Sequence, residues 1–281
     1  MLQTEFDAFF QPYSQNVDRA ADVGFWKLSD AIVLSIIRKE IGGKISTKTT
    51  ILDAGGGTGR WISSLSDIYP ADFVLYDLSS DMLEKARANL KNKGIESRVK
   101  VLHGDLTNME QVPSESVDYV ISTYAPIGFV PDHQKAFREL YRVLMPGGKV
   151  MIMGHGYHNS LYSKINNYHA PADEIAYMAE NYRVKWSEAV PELNTYSQER
   201  MTELLKEAGF EVERCYGVAA FIQPESEDFD PSNQSRSRIS RALENPVFFE
   251  RILQLEMAHN SDPKIVNRGV NIMGVGRKQY A

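Results

Sequence analysis

Between residues 50 and 154 the chain alternates between two spacings of apolar residues. Short β-rich runs stand at Thr50–Ala54, Asp72–Asp77, Arg98–His103, Val117–Thr123 and Lys149–Gly154. Segments with helical spacing lie between most of them. Ser79–Lys93 opens on a capping serine and carries Met82, Leu83, Ala86 and Leu90 on one face. Asp132–Leu144 carries Phe137, Leu140, Val143 and Leu144, and stops at Pro146-Gly147-Gly148. Strands alternating with helices predict parallel pairing and an α/β sheet covered on both faces. Ser29–Ile41 predicts an amphipathic helix through Ile32, Val33, Ile36, Ile37 and Ile41.

Beyond Gly154 the pattern changes. Residues 155–196 show no clear strand. A helix is expected at Ser197–Ala208, closed by Gly209, then a strand at Glu211–Tyr216, an irregular or helical stretch over 217–266, and a last strand at Val270–Arg277. Gln223–Ser240 reads as a mobile loop. Residues 1–28 are rich in aromatics, among them Phe25 and Trp26. The expected organisation is one domain over 1–281. It has a core at 50–154, an N-terminal lid at 1–28, and insertions at 155–196 and 217–266.

Composition narrows the classes. The 281 residues hold 31 Lys and Arg against 37 Asp and Glu, a net charge of −6. That balance argues against a surface built to coat nucleic acid phosphates. Hydrophobic residues at 43% and charged residues at 24% exclude wholesale disorder. The single cysteine, Cys215, cannot form an internal disulfide or supply a cysteine zinc site, and it fits a reducing cytoplasm. MLQTEFDAFF carries Glu5 and Asp7 and no basic leader, so no secretory signal is expected there. No apolar run reaches the roughly 18 residues of a membrane span.

The most informative segment is Ile51-Leu52-Asp53-Ala54-Gly55-Gly56-Gly57-Thr58-Gly59-Arg60. A strand runs into a glycine loop and then into a helix, a geometry that brings backbone close to a ligand. A nucleoside triphosphate loop would end in Gly-Lys-Ser/Thr, and no lysine is present. A dinucleotide loop would need a third glycine where Arg60 stands. What remains is Gly55-x-Gly57-x-Gly59 after Asp53. The second strand ends at Asp77, placed to bind both hydroxyls of a ribose. The third ends in His103-Gly104-Asp105-Leu106, where Asp105 could accept from a purine amine. Three ligand groups thus sit at the carboxyl ends of three consecutive strands.

At these residues the chain resembles the class I S-adenosylmethionine-dependent methyltransferases. ILDAGGGTG resembles the family's first motif, VLYDLSSDML the second, HGDL the third, VDYVISTY the fourth, and RELYRVLMPGGKVMI the helix and turn before the fifth strand. The resemblance implies a Rossmann-like seven-stranded sheet, mostly parallel with one antiparallel strand, helices on both faces, and lid insertions. It implies S-adenosylmethionine as cofactor. Gly55, Gly57 and Gly59 would then lie under the methionine end, Asp77 on the ribose, and Leu78 and Asp105 at the adenine, with Asp53 and Leu106 also binding the cofactor. Ser122 and Thr123 would border the transferred methyl.

Methyl transfer from such a cofactor is an in-line displacement that rests largely on positioning. A general base is needed only when the acceptor must lose a proton. His155, directly after the fifth strand, is the candidate base, expected to titrate near 6.5; Tyr13, through a closing N-terminal segment, is a second. Tyr124, Tyr157 and Trp26 are the candidate acceptor-binding residues. After the fourth strand the chain reads Thr123-Tyr124-Ala125-Pro126 and lacks the Asn/Asp-Pro-Pro-aromatic pattern of enzymes acting on base or glutamine amino groups. Segment 155–196 holds six of the 14 tyrosines, and its acids outnumber its bases. Such a lid disfavours a polyanion and suits a small neutral or amine-bearing molecule. Glu256 and His259, three apart, suggest no metal site without a third ligand. Two other readings remain open: a methyltransferase acting on a peptide or tRNA, and a cofactor-binding protein without turnover.

Overall fold

A computed structural model describes residues 9–12, 14, 17–42, 45–229 and 236–280. The elements in chain order are α1 (Gly24–Ile41), β1 (Thr50–Ala54), α2 (Arg60–Ser66), β2 (Asp72–Asp77), α3 (Ser80–Lys93), β3 (Val99–His103), β4 (Val117–Ser122), α4 (His133–Val143), β5 (Leu144–Gly156), α5 (Tyr157–Asn166), α6 (Ala172–Asn181), β6 (Arg183–Val184), β7 (Leu193–Tyr196), α7 (Gln198–Glu207), β8 (Glu211–Val218), α8 (Arg238–Ala242), α9 (Pro246–His259) and β9 (Asn271–Arg277). The main sheet runs β3-β2-β1-β4-β5-β9-β8. Strands β3, β2, β1, β4 and β5 pair in parallel, and β9 runs antiparallel to both β5 and β8. This is the seven-stranded, one-antiparallel arrangement that the resemblance implies.

Alternation along the central strands divides the core in two. Ile51, Leu75, Ile121, Met151 and Met153 face one layer, with Ile32, Ile36, Leu65 and Leu83 of α1, α2 and α3. Leu52, Val120, Val150 and Ile152 face the other, with Phe137, Leu140 and Leu205 of α4 and α7. Asp53, two residues after Ile51, therefore leaves β1 on the α1–α2–α3 side. Helix ends follow local chemistry: Ser79 Oγ accepts the Met82 amide (3.3 Å) and Asp132 Oδ1 the Lys135 amide (2.9 Å).

Three expectations are corrected. Residues 155–196 contain two short strands: β7 joins the end of β5 in parallel through His155 and Gly156, and β6 pairs with β7. Neither is long enough to show a period. The first helix starts at Gly24, five residues before Ser29, adding the buried Phe25 and Leu28 to the apolar stripe. A Cβ at residue 24 would stand 2.3 Å from the Ser240 carbonyl oxygen, so glycine lets the helix meet α8. The stretch 223–240 is packed in part: Asp228 is buried, and its carbonyl accepts Trp26 Nε1 (2.6 Å). No helix among the described residues is long and apolar enough to cross a membrane.

Candidate active site

The glycine loop joins β1 to α2 through Gly55, Gly57 and Gly59 at φ +76°, +53° and +74°, a region that L side chains rarely adopt. A Cβ at residue 55 would lie 2.2 Å from Pro126 Cβ, so the loop is pressed onto the chain leaving β4. Over residue 57, among the described residues, only Met82 Sδ, at 3.9 Å, would be met. The loop is held by Gly55 N donating to the Tyr76 carbonyl (2.7 Å) and Gly57 N donating to Asp77 Oδ2 (2.8 Å).

Asp77 ends β2, and its other oxygen accepts the Ser79 amide (2.8 Å). One carboxylate thus ties the glycine loop to the start of α3, and each oxygen keeps a lone pair. Burial pushes its carboxyl up, against the Ser79 and Gly57 amides. Asp53 has no such support. It is 1% exposed, and neither oxygen has a hydrogen-bond partner among the described residues. Burial first, then the Asp77 charge, push its carboxyl up to about 7, while Arg60 pulls it down.

The N-terminal side of the molecule is stapled to this loop at two points. Thr58 Oγ1 donates to Asp18 Oδ1 (2.6 Å), and Asn89 Nδ2 donates to Asp18 Oδ2 (3.1 Å). Asp30 of α1 pairs with Arg60 Nη1 and accepts the Tyr124 hydroxyl (2.5 Å), which also lies 3.0 Å from Ser29 Oγ. Tyr124 and Ala125, just past β4, both have positive φ, +57° and +64°. Non-glycine residues hold that conformation only where their surroundings over-determine it. Here Trp61 stacks on Tyr124 (6.1 Å, 25°), Trp26 meets it edge-on (5.8 Å), and the Arg60 guanidinium lies 5.3 Å from its centroid. Burial and the Asp30 charge push its hydroxyl well above the usual phenol range.

The structure therefore gathers Asp53, Gly55, Gly57, Gly59, Asp77, Tyr124 and Trp26 around one loop. Ser122 and Thr123 are buried at the end of β4, and the Ser122 hydroxyl has no partner among the described residues. Leu106 is buried; Asp105 is exposed, its Oδ1 accepting the Thr107 amide (2.7 Å); Leu78 is half-buried. By the alternation of Met151 and Met153, His155 falls on the Asp53 side of the sheet. Its ring meets Trp186 (6.4 Å), and burial pushes its imidazole down to about 4, which corrects the expected titration near 6.5. Tyr157 instead packs against Tyr182 within the insertion, ring centroids 4.5 Å apart and tilted by 34°. Tyr13 lies outside the described residues. Glu256 is turned away from His259's chemistry: its oxygens accept the Ala220 and Phe221 amides (2.9 Å each). Asp18, Asp30, Arg60 and Trp61 were missed in the sequence. Only Arg60 carried a signal there, its place directly after the last glycine.

A cleft of about 520 Å³ lies away from the glycine loop, in the insertion between α5, α6 and residues 183–192. Trp186, which also touches His155, forms part of its wall together with Tyr177 and Met178. Each cation lining it is paired: Lys164 with Glu174 (2.6 Å), Arg183 with Glu192 (2.8 Å) and Lys185 with Glu188 (3.0 Å). Asp173 leaves the lining with one acid in excess.

A family model described as a methyltransferase domain matches residues 51–148. A ubiquinone/menaquinone biosynthesis C-methyltransferase from Vibrio campbellii is 30% identical over 190 residues, covering 61% of this chain and 68% of the relative. Its namesake from Haemophilus ducreyi is 27% identical over 192 residues, with the same two shares. Among solved structures, the complex between the Haloferax volcanii Trm112 methyltransferase activator and a methyltransferase matches with a TM-score of 0.59 and 17% identity. That match covers 96% of this chain and 98% of the other, and at this identity it is a likeness of fold. Strand order, glycine loop and relatives agree: the chain belongs to the class I S-adenosylmethionine-dependent methyltransferases, enzymes that use S-adenosylmethionine as their methyl donor.

Proposed function

We propose that the chain transfers the methyl group of S-adenosylmethionine to an oxygen or nitrogen of a small, neutral or amine-bearing organic molecule. The cofactor supplies a methyl group on a sulfonium cation. Its fit at the strand ends is supported by Asp53, a buried carboxylate without a partner among the described residues, and by the space those residues leave over Gly57. In this reading Gly55, Gly57 and Gly59 cradle the methionine end, Asp77 meets the ribose, and Leu78, Asp105 and Leu106 border the adenine. Ser122 and Thr123 border the reacting side, with Tyr124 and Trp26 as an aromatic wall. An acceptor hydroxyl would give its proton to His155, whose imidazole is neutral near pH 7 and so can accept one.

The observation that carries the choice of acceptor is the insertion cleft, whose wall residue Trp186 also packs on His155 at the end of β5. It has the size of a small-molecule site and a wall of electron-rich rings. All of its cations are spent on its own acids, so it offers no free positive charge to a phosphate or carboxylate ligand. A second reading, transfer to an activated ring carbon, is favoured by the C-methyltransferase names of the relatives. The test is to incubate the protein and S-adenosylmethionine with phenols, amines, quinols, peptides and tRNA. Products are screened for a gain of about 14 daltons, the mass of CH₂, and their methyl carbon is assigned by NMR. A methyl on oxygen or nitrogen of a small molecule supports the first reading, and a methyl on carbon the second. Modification of tRNA or peptide alone rejects both.

A further inference from the structure

Lys164 shows what the insertion cleft attracts. It belongs to α5, lines the cleft, and is 5% exposed. A buried ammonium is costly unless it is paired. Glu174 Oε1 pairs with this one (2.6 Å), and the Tyr168 and Trp186 ring centroids lie 5.4 Å and 5.8 Å from its Nζ. The two rings, 5.7 Å apart, and the carboxylate make a seat for an ammonium ion, and the chain's own lysine fills it.

The same kinds of group recur on the same cleft. Asp173 and Tyr177 line it from α6, four residues apart, so they share one face of that helix. Asp173 is exposed, and the four acids of the lining face three bases. Each base is held by another acid, so Asp173 is the carboxylate left over. The Tyr177 ring beside it is 42% exposed. We infer that the cleft is an ammonium site, in which Asp173 and Tyr177 hold the cationic end of an aliphatic amine as Glu174 and the Tyr168 and Trp186 rings hold Lys164. This rests on the reading that the cleft takes the methyl acceptor, and it narrows the acceptor's class. An ammonium nitrogen has no lone pair, so the nitrogen held there is not the atom methylated. The acceptor carries a second nucleophile, on the side of Trp186 that meets His155 (6.4 Å). For a hydroxyl, the oxygen takes the methyl, the proton passes to His155, and the sulfur keeps the electron pair. Amino alcohols and aminoalkyl phenols have that form.

Calorimetric titration of the full chain, with S-adenosylhomocysteine present, tests the site with two probes of like shape. Tyramine carries an ammonium and a phenolic hydroxyl; 4-propylphenol has a methyl group in place of the ammonium. The parent should bind tyramine at least about 10-fold more tightly. Asp173→Asn and Tyr177→Leu, both at exposed positions of α6, should each weaken tyramine about 3- to 10-fold and change 4-propylphenol less than about twofold. Unchanged binding of S-adenosylhomocysteine shows that each variant is folded, and Asp173→Glu should keep the preference. Equal affinity for the two probes, binding of neither, or tyramine binding indifferent to both variants would overturn the ammonium site. Methylation of another small molecule in the acceptor screen would then leave the acceptor reading standing. A tyramine preference with methyl transfer confined to tRNA or peptide would do the reverse. A methyl found on the nitrogen of tyramine, rather than its oxygen, would overturn the assignment of the nucleophile.

Discussion

Asp53 is a carboxyl group that folding places where its charge is least welcome. An unfolded aspartate titrates near 3.9, and burial beside Asp77 pushes the folded one up to about 7. Between these values the folded protein holds a proton that the unfolded chain has released. Stability of the ligand-free protein should therefore fall as pH rises from about 4 through about 7. Asp53→Asn should flatten that fall and raise the melting temperature at pH 8; an unchanged profile by thermal unfolding would show that Asp53 does not carry it. His155 shifts the opposite way. With its imidazole pushed down to about 4, it is already neutral at pH 6, so the rate should show no step near 6.5. On a hydroxyl acceptor, His155→Ala should lower release of S-adenosylhomocysteine by about 100- to 10,000-fold. Asp53 and His155 were visible in the sequence as residues. Their protonation was not, because it depends on every group packed around them.

At the scale of elements, the glycine loop and α1 behave as one unit. The loop's positive φ angles were legible as glycines, and their consequence is local. Gly57→Val would force a β-branched residue to φ +53° and fill the space above the loop. It should lose binding of S-adenosylhomocysteine, measured by calorimetry, and cost about 1–3 kcal/mol of stability. The tie at the far end of α1 was not legible. Glu40 is buried and receives Lys149 (3.0 Å) and the Tyr216 hydroxyl (2.5 Å), joining α1 to β5 and β8. Lys149 also meets Glu213 (2.7 Å), which would still neutralise it if Glu40 were lost. Glu40→Ala should thus cost about 3 kcal/mol in urea unfolding, the low end for a broken buried pair. Strands β6 and β7 escaped the sequence for a related reason. Two and four residues hold too little pattern, and they are strands only because β5 offers an edge.

For the whole molecule, the glycine pattern by itself excludes dinucleotide and nucleoside triphosphate loops. The corresponding expectation is a thermal-shift experiment. S-adenosylhomocysteine should raise the melting temperature, while NADH and ATP at equal concentration should leave it within error. A comparable rise with NADH would contradict the cofactor class.

The parallel pairing of the core strands, the cofactor class and the acids at the strand ends were written in the sequence by itself. Each depends on residues close together in the chain: a period of two in the strands, a period near 3.6 in the helices, and a loop of five consecutive residues, 55–59. Tertiary structure alone decided which groups surround that loop. Asp30 and Tyr124 are 94 positions apart, and Trp26 and Asp228 are 202 apart. No local spacing encodes such pairs; they meet because the sheet brings distant strand ends to one edge and α1 packs across it. The same packing removes water from Asp53 and half-buries His155, and so shifts the titration of both.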